Sequence, residues 1–442
     1  MEALLILTVL VNRFAGIKAI IFYRNTFTGK RNSIERAQFF QKRINEYPME
    51  DWIFRKGVNM LTEKDKQWIE ETAGKIEEKM AWVSEKSRDK IPYTTVKGTH
   101  DSYDDSDKPY RISSGIGWWT NGFWGGMLWL MYHETGEEKY AEIARSSEEK
   151  LDKCLADYYG LDHDAGFLWL LTAVADYRLT KEPEARKRGL HAANILAGRF
   201  NPVGRFIRAW NNWDENDNTG KAIIDCMMNI PLLYWASEET GDPRYRHIAV
   251  MHADTAMENF IRADGSCEHI VEFNSQTGEK ADTYGGQGYE KGSSWTRGQA
   301  WALYGFTLSY LHTKKEEYLN TAKRVAHYFI ANIPESGLIP IDFRQPEEDT
   351  WEDSCAAAIA ACGLIEIAKA VGEHEKNLYL NAALKLLKAL EEKRSNWTRE
   401  CDCIIENCSE AYHTNKHINI IYADYFFMEA VYKLKGNDIF LW

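Results

Sequence analysis

Two aspartates stand at matching points of the chain, each at the mouth of an apolar helix. Asp164 sits in His163-Asp164-Ala165-Gly166-Phe167, ahead of Leu168-Trp169-Leu170-Leu171. Asp225 sits in Ile224-Asp225-Cys226-Met227-Met228-Asn229, ahead of Ile230-Pro231-Leu232-Leu233-Tyr234-Trp235. A carboxylate set against that much hydrocarbon is costly to keep ionised, so burial raises its pKa. A raised pKa is what a general acid needs near neutral pH. An aspartate at a helix start is more often an N-cap, which accepts backbone N–H bonds and has a lowered pKa instead. Recurrence at equivalent points, and a neighbouring His163 with no role in helix packing, favour chemistry over capping. Two aspartates facing one cavity would suit a hydrolase or lyase acting on a polar substrate.

The elements that must position them are helical hairpins. Charged turns recur at Thr135-Gly136-Glu137-Glu138-Lys139-Tyr140, Thr180-Lys181-Glu182-Pro183-Glu184 and Thr240-Gly241-Asp242-Pro243-Arg244-Tyr245. Weaker copies follow at Thr313-Lys314-Lys315-Glu316-Glu317-Tyr318 and Gly372-Glu373-His374-Glu375-Lys376. Gly or Pro at these points stops one helix and starts the next. The helix before each turn is apolar nearly all round, as in Phe123 to Met131, Phe167 to Ala175, Trp301 to Leu311 and Ala356 to Ala368. Such a helix must be buried, whereas the helix after each turn carries one apolar stripe and lies outside. Repeated inner–outer hairpins predict an all-α toroid closed on itself, or an open solenoid. Strand signals are few, at Gly204-Arg205-Phe206-Ile207-Arg208 and His269-Ile270-Val271-Glu272-Phe273, which read as short hairpin arms.

In a ring of hairpins the loops entering the inner helices converge on one face. Here they are Gly115 to Gly122, His163-Asp164, Asp225, Thr283-Tyr284-Gly285-Gly286-Gln287-Gly288-Tyr289, Ser293 to Gln299, and Thr350 to Ser354. Carboxylate, indole, amide and guanidinium on one mouth is the usual shape of a small-molecule site. Trp119 and Trp295 lie in Gly-, Ser- and Thr-rich context, which predicts exposure and stacking on a sugar face. Trp301 reads equally as core. Arg297 needs an anion, either a carboxylate of the fold or one on a substrate. Gly285-Gly286-Gln287-Gly288 lacks dinucleotide-fingerprint spacing and a βαβ setting, so its glycines are read as letting backbone approach a ligand closely.

Composition bounds the rest. The 442-residue chain carries 16 Trp and 23 Tyr, which suit a thick helical core or a sugar-stacking cleft. A net charge of −12 with no basic stripe argues against nucleic acid or an anionic membrane surface as partner. Eight Cys are scattered, several in apolar helical runs (Cys226, Cys355, Cys362), where they read as small buried hydrophobes. Cys401, Cys403 and Cys408, with His413 and His417 nearby, match no zinc spacing, so no metal is expected and reduced cytosolic thiols are the better account. Residues 1–55 read as an N-terminal extension and 56–442 as the catalytic domain. Leu4 to Val11 is apolar but too short to span a bilayer and lacks a basic leader, so a cytoplasmic protein is expected. Nothing in the sequence sets an oligomeric state.

Taken together the motifs resemble glycoside hydrolase family 88, the unsaturated glucuronyl hydrolases. The resemblance rests on Trp119-Thr120-Asn121-Gly122-Phe123-Trp124, His163-Asp164-Ala165-Gly166-Phe167 and Asp225-Cys226-Met227-Met228-Asn229. It extends to His269, Gly286-Gln287-Gly288, Ser294-Trp295-Thr296-Arg297-Gly298-Gln299-Ala300-Trp301 and Tyr422-Ala423-Asp424-Tyr425-Phe426. It implies an (α/α)6 barrel that takes oligosaccharides with a 4,5-unsaturated uronic acid at the non-reducing end, left by glycosaminoglycan lyases. The implied chemistry is hydration of the C4–C5 vinyl ether, with no metal or organic cofactor. By the same resemblance Asp225 is the acid–base group, and Asp164 binds hydroxyls and keeps Asp225 protonated by like-charge repulsion. Trp119, His163, His269, Thr283, Gly285, Gln287, Trp295, Arg297 and Trp301 would contact the sugar. A related unsaturated rhamnogalacturonyl hydrolase on the same fold is the alternative; an N-acylglucosamine-epimerase-like isomerase would need paired catalytic His instead. Members that prefer sulfated fragments carry a Ser-x-Ser-x-Lys pattern near the C-terminus. Ser409-Glu410-Ala411-Tyr412-His413-Thr414-Asn415-Lys416 lacks it.

Overall fold

Four of the five predicted turns are built on one device. The hydroxyls of Thr135, Thr180, Thr240 and Thr313 each donate back to the carbonyl four residues earlier, at 2.6–3.0 Å. Each also accepts the amide two residues ahead, at 3.2–3.3 Å. The residue after the threonine takes the left-handed conformation, at Gly136, Lys181, Gly241 and Lys314 (φ 58° to 71°). One side chain thus adds a second bond to a last-turn carbonyl and caps the first free amide of the turn, while the left-handed residue turns the chain out of the helix.

The computed structural model describes residues 61–104, 115–156, 161–212, 215–436 and 439–442. The chain divides into compact units at Ile53 and Phe54, and every described residue belongs to the second. The expected extension of residues 1–55, with its apolar Leu4 to Val11, lies outside the described residues.

Twelve α-helices make the ring among the described residues. Helix α1 (Glu63–Lys86) opens it with a capping box between Thr62 and Asp65. Five hairpins follow: α2 (Phe123–Thr135) with α3 (Glu138–Ala156), α4 with α5 (Pro183–Ala197), α6 (Pro231–Thr240) with α7 (Pro243–Asn259), α8 (Thr296–Thr313) with α9 (Glu316–Ala331), and α10 (Ser354–Ala370) with α11 (Glu373–Arg394). Helix α4 comprises Ala165–Trp169, a π-helical turn at Leu170–Val174, and Ala175–Thr180. The last inner helix, α12 (Ile421–Lys435), takes α1 as its outer partner and packs on both α2 and α10, which closes the circle. The expected (α/α)6 barrel is therefore the observed fold.

The inner helices are apolar because they have no free face. Every residue of α8 from Thr296 to Ser309 and of α10 from Ser354 to Ala368 is buried. The aromatic richness goes mostly into this interior. Phe123, Phe167, Trp301, Phe426 and Trp442 touch ring to ring, with Trp442 stacked on Phe426 at 5.8 Å and 3°. Among the described residues no helix is long and apolar enough to cross a membrane.

Strands are short and grow from the inter-hairpin loops. Phe206–Ile207 (β4) falls within one of the two predicted arms and pairs with Phe200–Asn201 (β3), which lies outside it. The other arm, Ile270–Phe273 (β6), is the centre of a three-stranded antiparallel sheet between Lys221–Ile223 (β5) and Lys280–Tyr284 (β7). Thr95–Val96 (β1) and Thr99–His100 (β2) form a further small pair. The β5–β6 register sets Ile223 opposite Ile270, which aligns the residue after one strand with the residue before the other. Those neighbours are Ile224, leading to Asp225, and His269.

Candidate active site

Strand β5 delivers Asp225 into a 3-10 turn, Ile224–Met228, that feeds α6. The amide of Ile224 donates to the His269 carbonyl at 3.1 Å, locking the two segments together. As a result His269 Nε2 lies 3.6 Å from Asp225 Oδ2. The His269 ring is oriented from behind, its Nδ1 accepting the Gln287 amide at 3.1 Å. That bond assigns the remaining proton to Nε2, on the Asp225 side. Gly286 makes the approach possible: it sits at φ +59°, and a Cβ there would fall 2.1 Å from His269 Nδ1.

Asp164 reaches the same place from the start of α4. It occupies the N-cap position, yet its side chain makes no capping bond, so the bland reading fails on geometry. Instead Asn229 Nδ2 donates to Asp164 Oδ1 at 3.1 Å and approaches the Asp225 carbonyl oxygen at 3.4 Å. Asn229 Oδ1 accepts the Phe167 amide at 2.7 Å. One buried carboxamide therefore couples the two helix mouths. It fits only because residue 166 is glycine, where a Cβ would lie 2.4 Å from the Asn229 Cα.

Both carboxyl groups are raised, and burial is the first cause of each. Asp225 is pushed up to about 7, with the Arg297 charge and a backbone hydrogen bond holding it back. Asp164 lies well above the usual carboxylate range, raised further by Asp162 and Asp225 and opposed by the Asn229 bond and Arg199. Desolvation leads in both groups, and like-charge repulsion within the pair adds to it. His163 and His269 are pulled down to about 3 by burial and are neutral at physiological pH. Asp225 Oδ2, His269 Nε2 and both ring nitrogens of His163 have no hydrogen-bond partner among the described residues. Buried polar atoms left unpaired in one place mark where a polar ligand would bind.

The other expected contacts divide. Trp119 is half-buried on a 3-10 turn whose loop is pinned by three Asn121 bonds, and its ring leans on Phe167 and Tyr422 at 5.4 and 5.0 Å. Trp295 is not exposed as expected: only 3% accessible, it packs against His269 at 4.3 Å and under Arg297. Trp301 is wholly buried between Phe167 and Phe426, so it is core. Of the two anions the sequence allowed Arg297, the protein supplies one: its Nη1 donates to Asp353 Oδ2 at 2.6 Å and to the Ser409 carbonyl, and its Nη2 to the Glu410 carbonyl at 2.5 Å. Gln287 also holds that segment, donating to the Glu410 carbonyl at 2.7 Å. Thr283 pairs with Val271 in the sheet, and the Gly285 carbonyl lies 3.3 Å from His269 Nδ1.

Residues not singled out also matter. Trp210 is half-buried beside Ile223 and Ile270, with its ring edge-on to His163 at 6.5 Å; its setting in Ala209-Trp210-Asn211-Asn212 was the available signal. Arg199 ties Leu161, Arg208, Ala209 and Asn211 into the wall behind Asp164. The five suspected metal ligands do not converge. Cys401 and Cys403 meet Glu406, Cys408 lies against Cys355, and His413 and His417 bind the Tyr289 carbonyl and the Glu352 amide.

Residues 83–442 match the family model of Glycosyl Hydrolase Family 88. An unsaturated glucuronyl hydrolase from Bacillus sp. (strain GL1) is 39% identical over 338 residues, covering 73% of this chain and 88% of that one. An unsaturated chondroitin disaccharide hydrolase from Streptococcus pyogenes serotype M1 is 35% identical, covering 74% and 83%. The crystal structure of an unsaturated glucuronyl hydrolase from Bacillus sp. GL1, described as responsible for the degradation of glycosaminoglycan, superposes with a TM-score of 0.76 at 35% identity, over 84% of this chain and 97% of that one.

Proposed function

The chain belongs to Glycosyl Hydrolase Family 88, and we propose that it removes the 4,5-unsaturated glucuronic acid from the non-reducing end of glycosaminoglycan-derived oligosaccharides. The observation that carries this reading is the Asp225 carboxyl: buried, raised to about 7, and with Oδ2 unpaired. Such a group carries a proton near neutral pH and can both give and retake it.

The reaction proceeds by hydration. Asp225 gives its proton to C4 of the vinyl ether, and positive charge develops across C5 and the ring oxygen. The resulting Asp225 carboxylate then takes a proton from water as the water oxygen bonds to C5. The hemiketal so formed opens to a ketone, and the freed hemiacetal at C1 releases the remaining sugar. The neutral Nε2–H of His269, 3.6 Å from Asp225 Oδ2, steadies the carboxylate midway without itself titrating. Arg297 lends positive potential and shapes the 409–410 wall on which a uronate would rest. Asp164 and His163 offer a hydroxyl-binding edge opposite, held by Asn229. Trp119 and Trp210 are the half-buried indoles available for stacking on the sugar. The carboxyl spacing that sorts ordinary glycosidases does not apply, since no stereochemistry at C1 is being chosen.

The eight cysteines, all buried and none in a disulfide, support a reducing, cytoplasmic setting. A direct assay follows the ultraviolet band of an unsaturated chondroitin disaccharide. The protein should bleach it as the double bond is hydrated. A band that persists with unsaturated chondroitin, hyaluronan and heparin disaccharides alike would overturn the proposal.

A further inference from the structure

Away from the site, Cys401 and Cys403 bring their Sγ atoms to 3.3 Å of each other. The backbone around them is clamped: the Asp402 amide donates to the Gly98 carbonyl, and Asp424 accepts the Ile404 and Ile405 amides at 3.0 and 2.7 Å. Asp402 itself accepts the His100 amide at 2.9 Å and pairs with Lys86 at 2.7 Å. Beside the thiols stands the buried Lys79, whose Nζ donates to the carbonyls of Asn396, Thr398 and Cys401 at 2.8, 3.0 and 2.5 Å. Three accepting oxygens use all three donors of an ammonium. A surface cleft lined by Lys75, Trp82, Trp397 and Arg399 opens beside Lys79.

We propose that Cys401 and Cys403 form a redox-active dithiol that closes reversibly to a disulfide on reaction with a small carboxylate-bearing disulfide. The sulfurs need to close from 3.3 Å to the about 2.05 Å of an S–S bond. The geometry also assigns the roles. Cys401 is the less buried of the two (7% against 2% accessible) and Lys79 Nζ bonds its carbonyl, so it is the sulfur a reagent meets first; the hydrogen bond between the thiols and the Lys79 charge hold it down to about 6. Glu406 opposes this at Cys401, and Cys403 is raised by the same hydrogen bond, by burial, and by Asp424 and Glu406. Cys226, Cys267, Cys355 and Cys362 are all raised well above the ordinary thiol value by burial, which makes them poor nucleophiles. In the first step the Cys401 thiolate bonds to one sulfur of the incoming disulfide, and the other leaves as a thiolate. In the second, Cys403 loses its proton to water and attacks the Cys401 sulfur, expelling the second thiolate. Two electrons pass from the cysteine pair to the small disulfide, which ends as two thiols. The cleft sets Lys75, Lys79 and Arg399 against Glu78, with Lys75 paired to Glu391 at 2.6 Å, so a small positive excess faces a carboxylate-bearing reagent.

The folded protein, treated with oxidised glutathione, then denatured, alkylated and mapped by mass spectrometry, tests this. The peptide holding both residues should be lighter by two hydrogens and unalkylated, with the other six cysteines alkylated. Cys403→Ser should stop at a glutathione adduct on Cys401, and Cys401→Ser should give neither product. The wild-type rate should rise along a titration near pH 6, below that of an ordinary thiol. The proposal is overturned if both cysteines remain alkylatable, if the disulfide forms only after unfolding, or if Cys401→Ser reacts as fast as Cys403→Ser.

Discussion

At the scale of single residues, proton occupancy decides the chemistry. Asp225 must be protonated to act on C4, so kcat/KM should fall as pH rises through about 7. Asp225→Asn should lower kcat by about 10²–10⁴-fold, the usual contribution of a general acid. The same change should raise Tm more at pH 8 than at pH 5, because the cost of the buried carboxyl accrues from its unfolded pKa near 4 up to its folded value near 7. A Tm that falls equally at both pH values would contradict the desolvated-acid account. Asn229→Ala deletes the bridge between the helix mouths and should cost about 1.5–3 kcal/mol in kcat/KM, a ten- to hundredfold loss. Part of this was legible beforehand: Asp164, Asp225 and His163 are chemically unusual for their surroundings, whereas His269 came only from the family resemblance. The exposure expected of Trp295 failed because small polar neighbours indicate a loop or helix mouth, not whether a partner covers it, whereas Trp301 took the core place that was one of its two readings. The Arg297 anion was equally out of reach, since Asp353 lies 56 residues away and only the fold joins them.

At the scale of elements, the β5–β6 register and one glycine place His269 against Asp225. Gly286→Ala should therefore lower kcat/KM more than about tenfold, through both the left-handed φ and the clash with the imidazole. Because Gly286 is exposed, Tm should shift by only a few degrees, and an unchanged kcat/KM would detach His269 from the reaction. All five hairpin turns were readable, since threonine, glycine and charge make the turn locally. The π-helical turn at Leu170–Val174 and strand β7 were not. Strand β7 is mostly exposed and polar, so its place is set by pairing with β6 rather than by an apolar pattern.

At the scale of the whole molecule, the ring buries two opposing sets of titratable groups. Glu148 is raised to about 8 and Asp225 and Asp424 to about 7, and Asp164 is raised with them, all by burial first. A raised carboxyl contributes stability below its unfolded pKa near 4, which is lost as pH climbs through the folded value. His163, His252 and His269 are pulled down to about 3 and His100 to about 4. A lowered imidazole contributes stability above its unfolded value near 6.5, which is lost as pH falls. Between about pH 4 and 6.5 the two sets offset each other, and above that range only the carboxyls act. Tm should therefore be nearly flat from pH 5 to 6 and fall between pH 6.5 and 8.5; a Tm higher at pH 8.5 than at pH 6 would refute this balance. The barrel itself was half legible. Local turns reveal hairpins, but closure joins α12 to α1 across the whole chain, and no short pattern encodes a contact of that span.

The central claim is protonation of C4 by Asp225 ahead of any cleavage. Turnover of an unsaturated chondroitin disaccharide in D₂O, followed by NMR at early times, tests it most directly. A single deuteron on one face of C4, appearing at the rate of disaccharide loss and absent with Asp225→Asn, is the predicted result. Deuterium spread over both faces, or release of the sugar before any deuterium enters C4, would contradict it.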